Sequence, residues 1–229
     1  METRQRGFTL IEIAIVLVII GLLLGGVLKG QELIDSAKVK NLATDYKNIP
    51  IFIYGYQDKF KALPGDDANV TAHLSGATAC TPNAANICAS GNGVLDGAWD
   101  AVNDAASESN LFWQHVRLAG FAAGSSDVGN SNYQQTNAVG GRIGIQSNNA
   151  SFTTITSDSA NTAQSGMIGT YVICSAGILG KFAKRLDTSL DNGDADSGAV
   201  RVADPANAGK SIATNSILDG DSYTVCMGV

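Results

Sequence analysis

Apolar positions change their rhythm along the chain. Residues 13–28 form an unbroken run of sixteen residues without a charged or strongly polar side chain. Further on, Leu42, Tyr46, Ile49, Ile53, Tyr56, Phe60 and Leu63 recur at alternating intervals of four and three. That spacing draws one stripe on an amphipathic helix and leaves Lys40, Lys47, Asp58 and Lys59 to the other side. A coiled coil could use such a stripe, but a helix lying on its own globular domain is the simpler cause. Beyond residue 63 the pattern breaks into short β-branched and aromatic runs between Gly, Asn and Ser clusters.

The two helical patterns join into one predicted spine over residues 8–62, about 80 Å long if straight. Its first part, residues 8–28, matches the length of a bilayer-crossing helix; residues 29–63 are the amphipathic continuation. Pro50 lacks an N–H and should kink the helix near residues 46–49. Leu63-Pro64-Gly65 then ends it. Gly21/Gly25 and Gly26/Gly30 form two small-xxx-small pairs that permit close helix approach in an apolar setting. Glycine is also simply frequent in membrane helices, and each costs a helix up to ~1 kcal/mol relative to alanine.

Residues 64–229 read as one loop-rich globular domain. Ser107 looks like an N-cap for a helix through Leu118, with Leu111, Phe112, His115, Val116 and Ala119 on one face and Gly120 at its end. His115 is expected at the edge of that face, without chemistry. Residues 142–146, 151–156, 167–175 and 223–227 read as short strands. A small antiparallel sheet covering the amphipathic half of the long helix gives an α+β fold.

Composition narrows the function classes. The chain has 229 residues, 26 of them glycine, a net charge of −6 and a 16% charged fraction. The acidic balance argues against a broad nucleic-acid surface. Asn, Ser, Thr and Ala are abundant after residue 63, which suits a domain held outside the cytoplasm. All four cysteines, Cys80, Cys88, Cys174 and Cys226, lie in that domain. An even count in an exported domain favours disulfides, with three pairings open. Proximity favours Cys80–Cys88, which leaves Cys174–Cys226. No Cys-x-x-Cys spacing points to zinc, and His73 and His115 belong to no ligand motif.

The N-terminus carries the most specific signal. A seven-residue leader containing Glu2, Arg4 and Arg6 ends at Gly7, followed by Phe8-Thr9-Leu10-Ile11-Glu12 and the apolar run. The small residue that could be cut lies before the hydrophobic segment, whereas a secretory signal is cut after it. The segment resembles the prepilin leader of type IV pilins and type II secretion pseudopilins. The resemblance implies removal of residues 1–7 by a membrane prepilin peptidase, cleavage between Gly7 and Phe8, and N-methylation of Phe8. It implies assembly into a filament, with Glu12 pairing with the Phe8 amine of a neighbouring subunit. An ionised Glu12 in lipid would be costly until so paired. The implied partners are copies of the chain and other pilins, the peptidase/methylase, an inner-membrane assembly platform and, before assembly, lipid. The implied location is the inner membrane as a single-pass protein, then a surface pilus or a periplasmic pseudopilus. A ladle-shaped α+β layout is implied too, and the Cys174–Cys226 pairing resembles the C-terminal disulfide region of many type IV pilins. Residues 54–67 and 111–121 are similar to segments of larger prepilin-like bacterial proteins. Many type IV pilins have a proline near the position of Lys29; this chain does not.

Other chemistry is sparse. Asp191, Asn192, Asp194 and Asp196 offer calcium-type oxygen ligands in a stretch where Gly193 and Gly198 permit tight turning, without the EF-hand register or its closing glutamate. The alternative is a solvated Asp/Asn/Gly turn. Asp66/Asp67 and Asp96/Asp100 read as turn chemistry. The sequence contains no Gly-x-Ser-x-Gly elbow, phosphate-binding loop or His-Glu-x-x-His, so no catalytic residue is assigned. The expected function is a pilus subunit, major or minor, supporting adhesion, motility or DNA uptake. A secretion pseudopilin is the alternative, and a membrane-tethered hydrolase a remote one.

Overall fold

The computed structural model describes residues 9–82, 88–102, 104–149, 155–160 and 166–229. The chain divides into two units, Met1–Lys38 and Val39–Val229. Helix α1, Leu10–Phe60, supplies the described helix of the first unit and the opening helix of the second. Gly7 and Phe8 lie outside the described residues.

In the first unit every described side chain through Lys29 is exposed, including Leu10, Ile13, Val16, Ile20, Leu24 and Leu28. The helix is long and apolar enough to cross a membrane. An exposed apolar surface of this extent calls for cover by lipid or protein.

The second unit builds its core on the predicted stripe. Leu42, Tyr46, Ile49, Ile53 and Tyr56 are buried, joined by Val39 and Ala43. Each large apolar side chain contributes about 1.5–3 kcal/mol on burial. Pro50 does not end the helix, which stays continuous through it. Ile49 and Ile53, on either side of it, are both buried in the core. Beyond Phe60 the chain turns at Lys61, whose φ is +55°.

After α2 (Val70–His73) and α3 (Glu108–Leu118) come β1 (Ile143–Ser147), β2 (Tyr171–Leu179), α4 (Gly180–Leu190), β3 (Val200–Asp204), β4 (Asn207–Ser211) and β5 (Ser222–Gly228). The sheet order is β1-β2-β5-β3-β4, and every neighbouring pair is antiparallel. Ile143, Ile145, Ile173 and Val225 share one core with the α1 stripe. Tyr46 ties helix to sheet directly, its hydroxyl donating to the Val225 carbonyl at 2.6 Å.

The opposite face carries a second cluster of Val172, Cys174, Ala203 and Cys226. Alternation along β2 sends Ile173 to one cluster and its neighbours to the other, as a strand period of two requires. A bulge between Ser175 and Ile178 then resets the alternation and returns Ile178 to the helix side. Gly177, with φ +76°, lies inside that bulge.

Strands β1, β2 and β5 correspond to the predicted 142–146, 167–175 and 223–227, with β2 displaced toward its C-terminus. The predicted strand 151–156 falls largely outside the described residues; Ile155 and Thr156 are not in a strand. Helix α4 and strands β3 and β4 were not anticipated. Ser107 does cap α3, its Oγ accepting from the Asn110 amide at 3.3 Å.

Candidate functional site

The N-terminal signal has a local geometry of its own. Thr9 and Glu12 form a reciprocal capping box: the Thr9 amide and hydroxyl both donate to Glu12 Oε2, at 2.8 and 2.9 Å. The Glu12 amide returns a bond to Thr9 Oγ1 at 3.3 Å. Thr-x-x-Glu at a helix start satisfies amides that have no partner inside the helix. The Thr-x-x-Glu spacing of Thr9-Leu10-Ile11-Glu12 is itself the sequence signal for this cap. One carboxylate oxygen is thereby held within its own chain, while the side chain sits on an exposed apolar helix.

The second unit places the cysteines in two bridges, Cys80–Cys88 and Cys174–Cys226. Cys174 and Cys226 face each other in register across β2 and β5, with Cα atoms 4.1 Å apart. That bridge lies in the cluster on the sheet face away from α1. Among the described residues, Cys80, Cys88 and Glu108 bring one ligand-type atom each within 4.8 Å of one another. The two sulfurs are spent in a disulfide, so the feature of interest is Glu108. It is fully buried, accepts from the Asp96 amide at 3.0 Å through Oε2, and leaves Oε1 without a partner. Burial pushes its acid up to about 8; the Asp96 amide opposes this, and the Asp66 and Asp96 charges add to it.

The acidic loop after α4 is held by hydrogen bonds. Asp191 Oδ2 accepts from the Ala199 and Val200 amides, at 2.5 and 3.1 Å. Asn192 Oδ1 accepts from the Asp194 amide at 2.9 Å, and Asp194 Oδ2 from Ser197 Oγ at 2.9 Å. Asp196 takes the Ser159 amide at 2.7 Å and the Ser211 hydroxyl at 2.6 Å. Each of the four expected ligands is therefore already turned to donors of the protein. Beneath the loop, Asp187 is fully buried and neither oxygen has a partner in hydrogen-bonding geometry. Burial raises its acid to about 6, against a weaker pull from the Gly193 amide.

His115 corrects the sequence reading. It is completely buried rather than placed at an edge. The Gly65 amide donates to Nδ1 at 2.9 Å, so Nε2 carries the proton and donates to the Thr78 carbonyl at 3.0 Å. Burial lowers its tendency to protonate. The ring is a neutral clamp between two loops. Asp66 and Asp67 are also more than exposed turn residues, since both are 2% exposed. Asp66 gathers the amides of Gly91, Asn92 and Gly93. Asp67 accepts from Tyr56 Oη at 2.8 Å, the Asn69 amide at 2.9 Å and His73 Nδ1 at 2.7 Å.

No curated protein and no solved structure matches the chain. Residues 3–28 match the family model described as the prokaryotic N-terminal methylation motif. This span takes in Gly7, Phe8, the Thr9–Glu12 box and the apolar run, and the chain thus carries the prepilin signature of the type IV pilin and pseudopilin family.

Proposed function

We propose that the protein is a structural subunit, major or minor, of a type IV pilus and supports adhesion, motility or DNA uptake. In this reading a prepilin peptidase removes residues 1–7 at the inner membrane, Phe8 is N-methylated, and residues 8–28 leave the lipid to form the filament core. Residues 29–63 continue the spine, and residues 64–229 form the extracytoplasmic domain.

The observation that carries the proposal is Glu12. An acidic side chain stands on the exposed apolar run, and among the described residues Thr9 alone holds it. Its second carboxylate oxygen remains for the cationic amine that cleavage would create on a neighbouring subunit. Transfer from lipid to a packed filament would then cover the apolar helix and pair the charge together. The signature belongs to structural subunits, which agrees with the lack of a catalytic motif in the sequence.

A pseudopilin is the second reading, favoured by one departure: no proline stands near Lys29. Calcium at Asp191, Asn192, Asp194 and Asp196 accompanies either reading as a proposal. Its support is the buried, unpartnered Asp187 beneath a loop rich in oxygen ligands.

Glu12→Ala and a Gly7→Val leader variant test the assembly mechanism in the producing cell. Both should abolish filaments while the subunit remains in the membrane. Normal filaments from either variant would remove the mechanism.

A further inference from the structure

A cavity of about 610 Å³ opens in the second unit where α1 ends. That volume lies within the range of small-molecule sites. Its walls are built and fixed by groups already described. Asp66 holds the 91–93 turn as one wall, and Asp67 fixes Tyr56, Asn69 and His73 on the other. Lys61, the one non-glycine among the described residues with positive φ, turns the chain from α1 into this wall.

His73 is the cavity's most telling side chain. Asp67 can only accept in its ionised form, so His73 Nδ1 carries a proton. Among the described residues Nε2 has no hydrogen-bond partner, and the side chain is 28% exposed. The same ring stacks on Phe60, with centroids 5.3 Å apart and planes inclined by 24°. A carboxylate on one side and an aromatic ring on the other therefore fix its orientation. Gln57, Asn69 and Tyr171 complete the lining that matters here.

These groups choose among ligand classes. The amides donate and accept, His73 Nε2 accepts when neutral, and Phe60, stacked by His73, offers an aromatic face where a ligand displaces the exposed Lys59 side chain, whose Nζ lies 4.9 Å from the ring centroid. Two buried carboxylates behind the wall disfavour an anion. The cation at the rim, Lys61, is turned to the Asp58 carbonyl at 2.7 Å and the Asp58 carboxylate at 3.3 Å. Both carboxylates are committed to hydrogen bonds, which leaves little for a free cation. Hydroxyl groups that donate and accept at once, on a ring with an apolar C–H face, match this set.

We propose that the cavity between the end of α1 and the 91–93 turn binds a neutral saccharide, with the ring packed on Phe60 and hydroxyls bonded to His73, Asn69 and Gln57. The site does not depend on whether the subunit belongs to a pilus or a pseudopilus.

The test uses the full chain in lauryldimethylamine oxide, a detergent without a sugar headgroup. Saturation-transfer NMR and calorimetry would probe methyl glycosides of glucose, galactose, mannose and N-acetylglucosamine, and their β-linked disaccharides. At least one probe should receive saturation at its ring C–H positions. Asn69→Ala and Gln57→Ala, which remove side chains at the cavity wall, should each weaken binding about tenfold. His73→Ala should remove it, and an unchanged melting temperature would separate lost binding from lost folding. No transfer to any probe at about 10 mM, beyond the millimolar range of weak specific sites, overturns the proposal. So does binding that Asn69→Ala and Gln57→Ala leave unchanged, or binding seen only with inorganic phosphate or glycine betaine.

Discussion

Replacing Glu108 with glutamine should change how stability depends on pH. In the folded protein its acid is raised from an ordinary 4.5 to about 8, first by burial and then by Asp66 and Asp96. The folded state therefore holds a proton between those pH values that the unfolded state has released. Stability from this group is fully present below about pH 4.5 and is lost as pH rises through 8. At about 1.4 kcal/mol per pH unit, the loss is on the order of 2–5 kcal/mol, the lower end allowing for water reaching the site. Glutamine is neutral throughout and can still accept from the Asp96 amide. The assay is denaturant unfolding of the full chain in detergent, followed by tryptophan fluorescence; Trp113 is buried beside Phe112 at 5.2 Å between ring centroids. At pH 5 variant and wild type should differ by about 1 kcal/mol or less, and at pH 8.5 the variant should be the more stable by several. Asp187, raised to about 6, tilts both proteins alike and cancels in the difference. A difference that stays constant from pH 5 to 8.5 would refute the assignment of Glu108 as a buried neutral acid.

Tyr46→Phe removes the buried hydroxyl that ties α1 to the Val225 carbonyl, which keeps its place in the sheet, so it should cost about 0.5–1.5 kcal/mol in the same unfolding assay with little change in the helix signal. Calcium should raise the melting temperature of the full chain and release or absorb heat on titration, and Asp194→Asn should suppress both. No heat and no thermal shift would remove the proposed site.

The helix was legible because its core positions repeat at a local period: Tyr46, Ile49, Ile53 and Tyr56 could be read from spacing alone. Strands β1, β2 and β5 carry β-branched or aromatic residues and were legible for the same reason. Strand β4, Asn-Ala-Gly-Lys-Ser, carries none of that chemistry; it exists because β3 offers it a partner. Helix α4 did present Phe182, Ala183 and Leu186 at helical spacing, a signal within reach. The acidic groups were harder. Asp66 finds its donors 25 to 27 residues away, and His115 is clamped by residues 50 and 37 positions earlier. Such contacts have no period and no local motif, so turn chemistry was the natural reading of Asp66 and an edge position that of His115.

In the proposed mechanism everything turns on the fate of the N-terminus. Mass spectrometry of the N-terminal peptide, from sheared surface filaments and separately from membranes, tests it most directly. The account predicts a peptide that begins at N-methylated Phe8 and is abundant in the sheared fraction. Processed protein confined to the envelope would contradict the surface pilus and favour the pseudopilin. An intact leader from Met1 in both fractions would contradict filament assembly altogether.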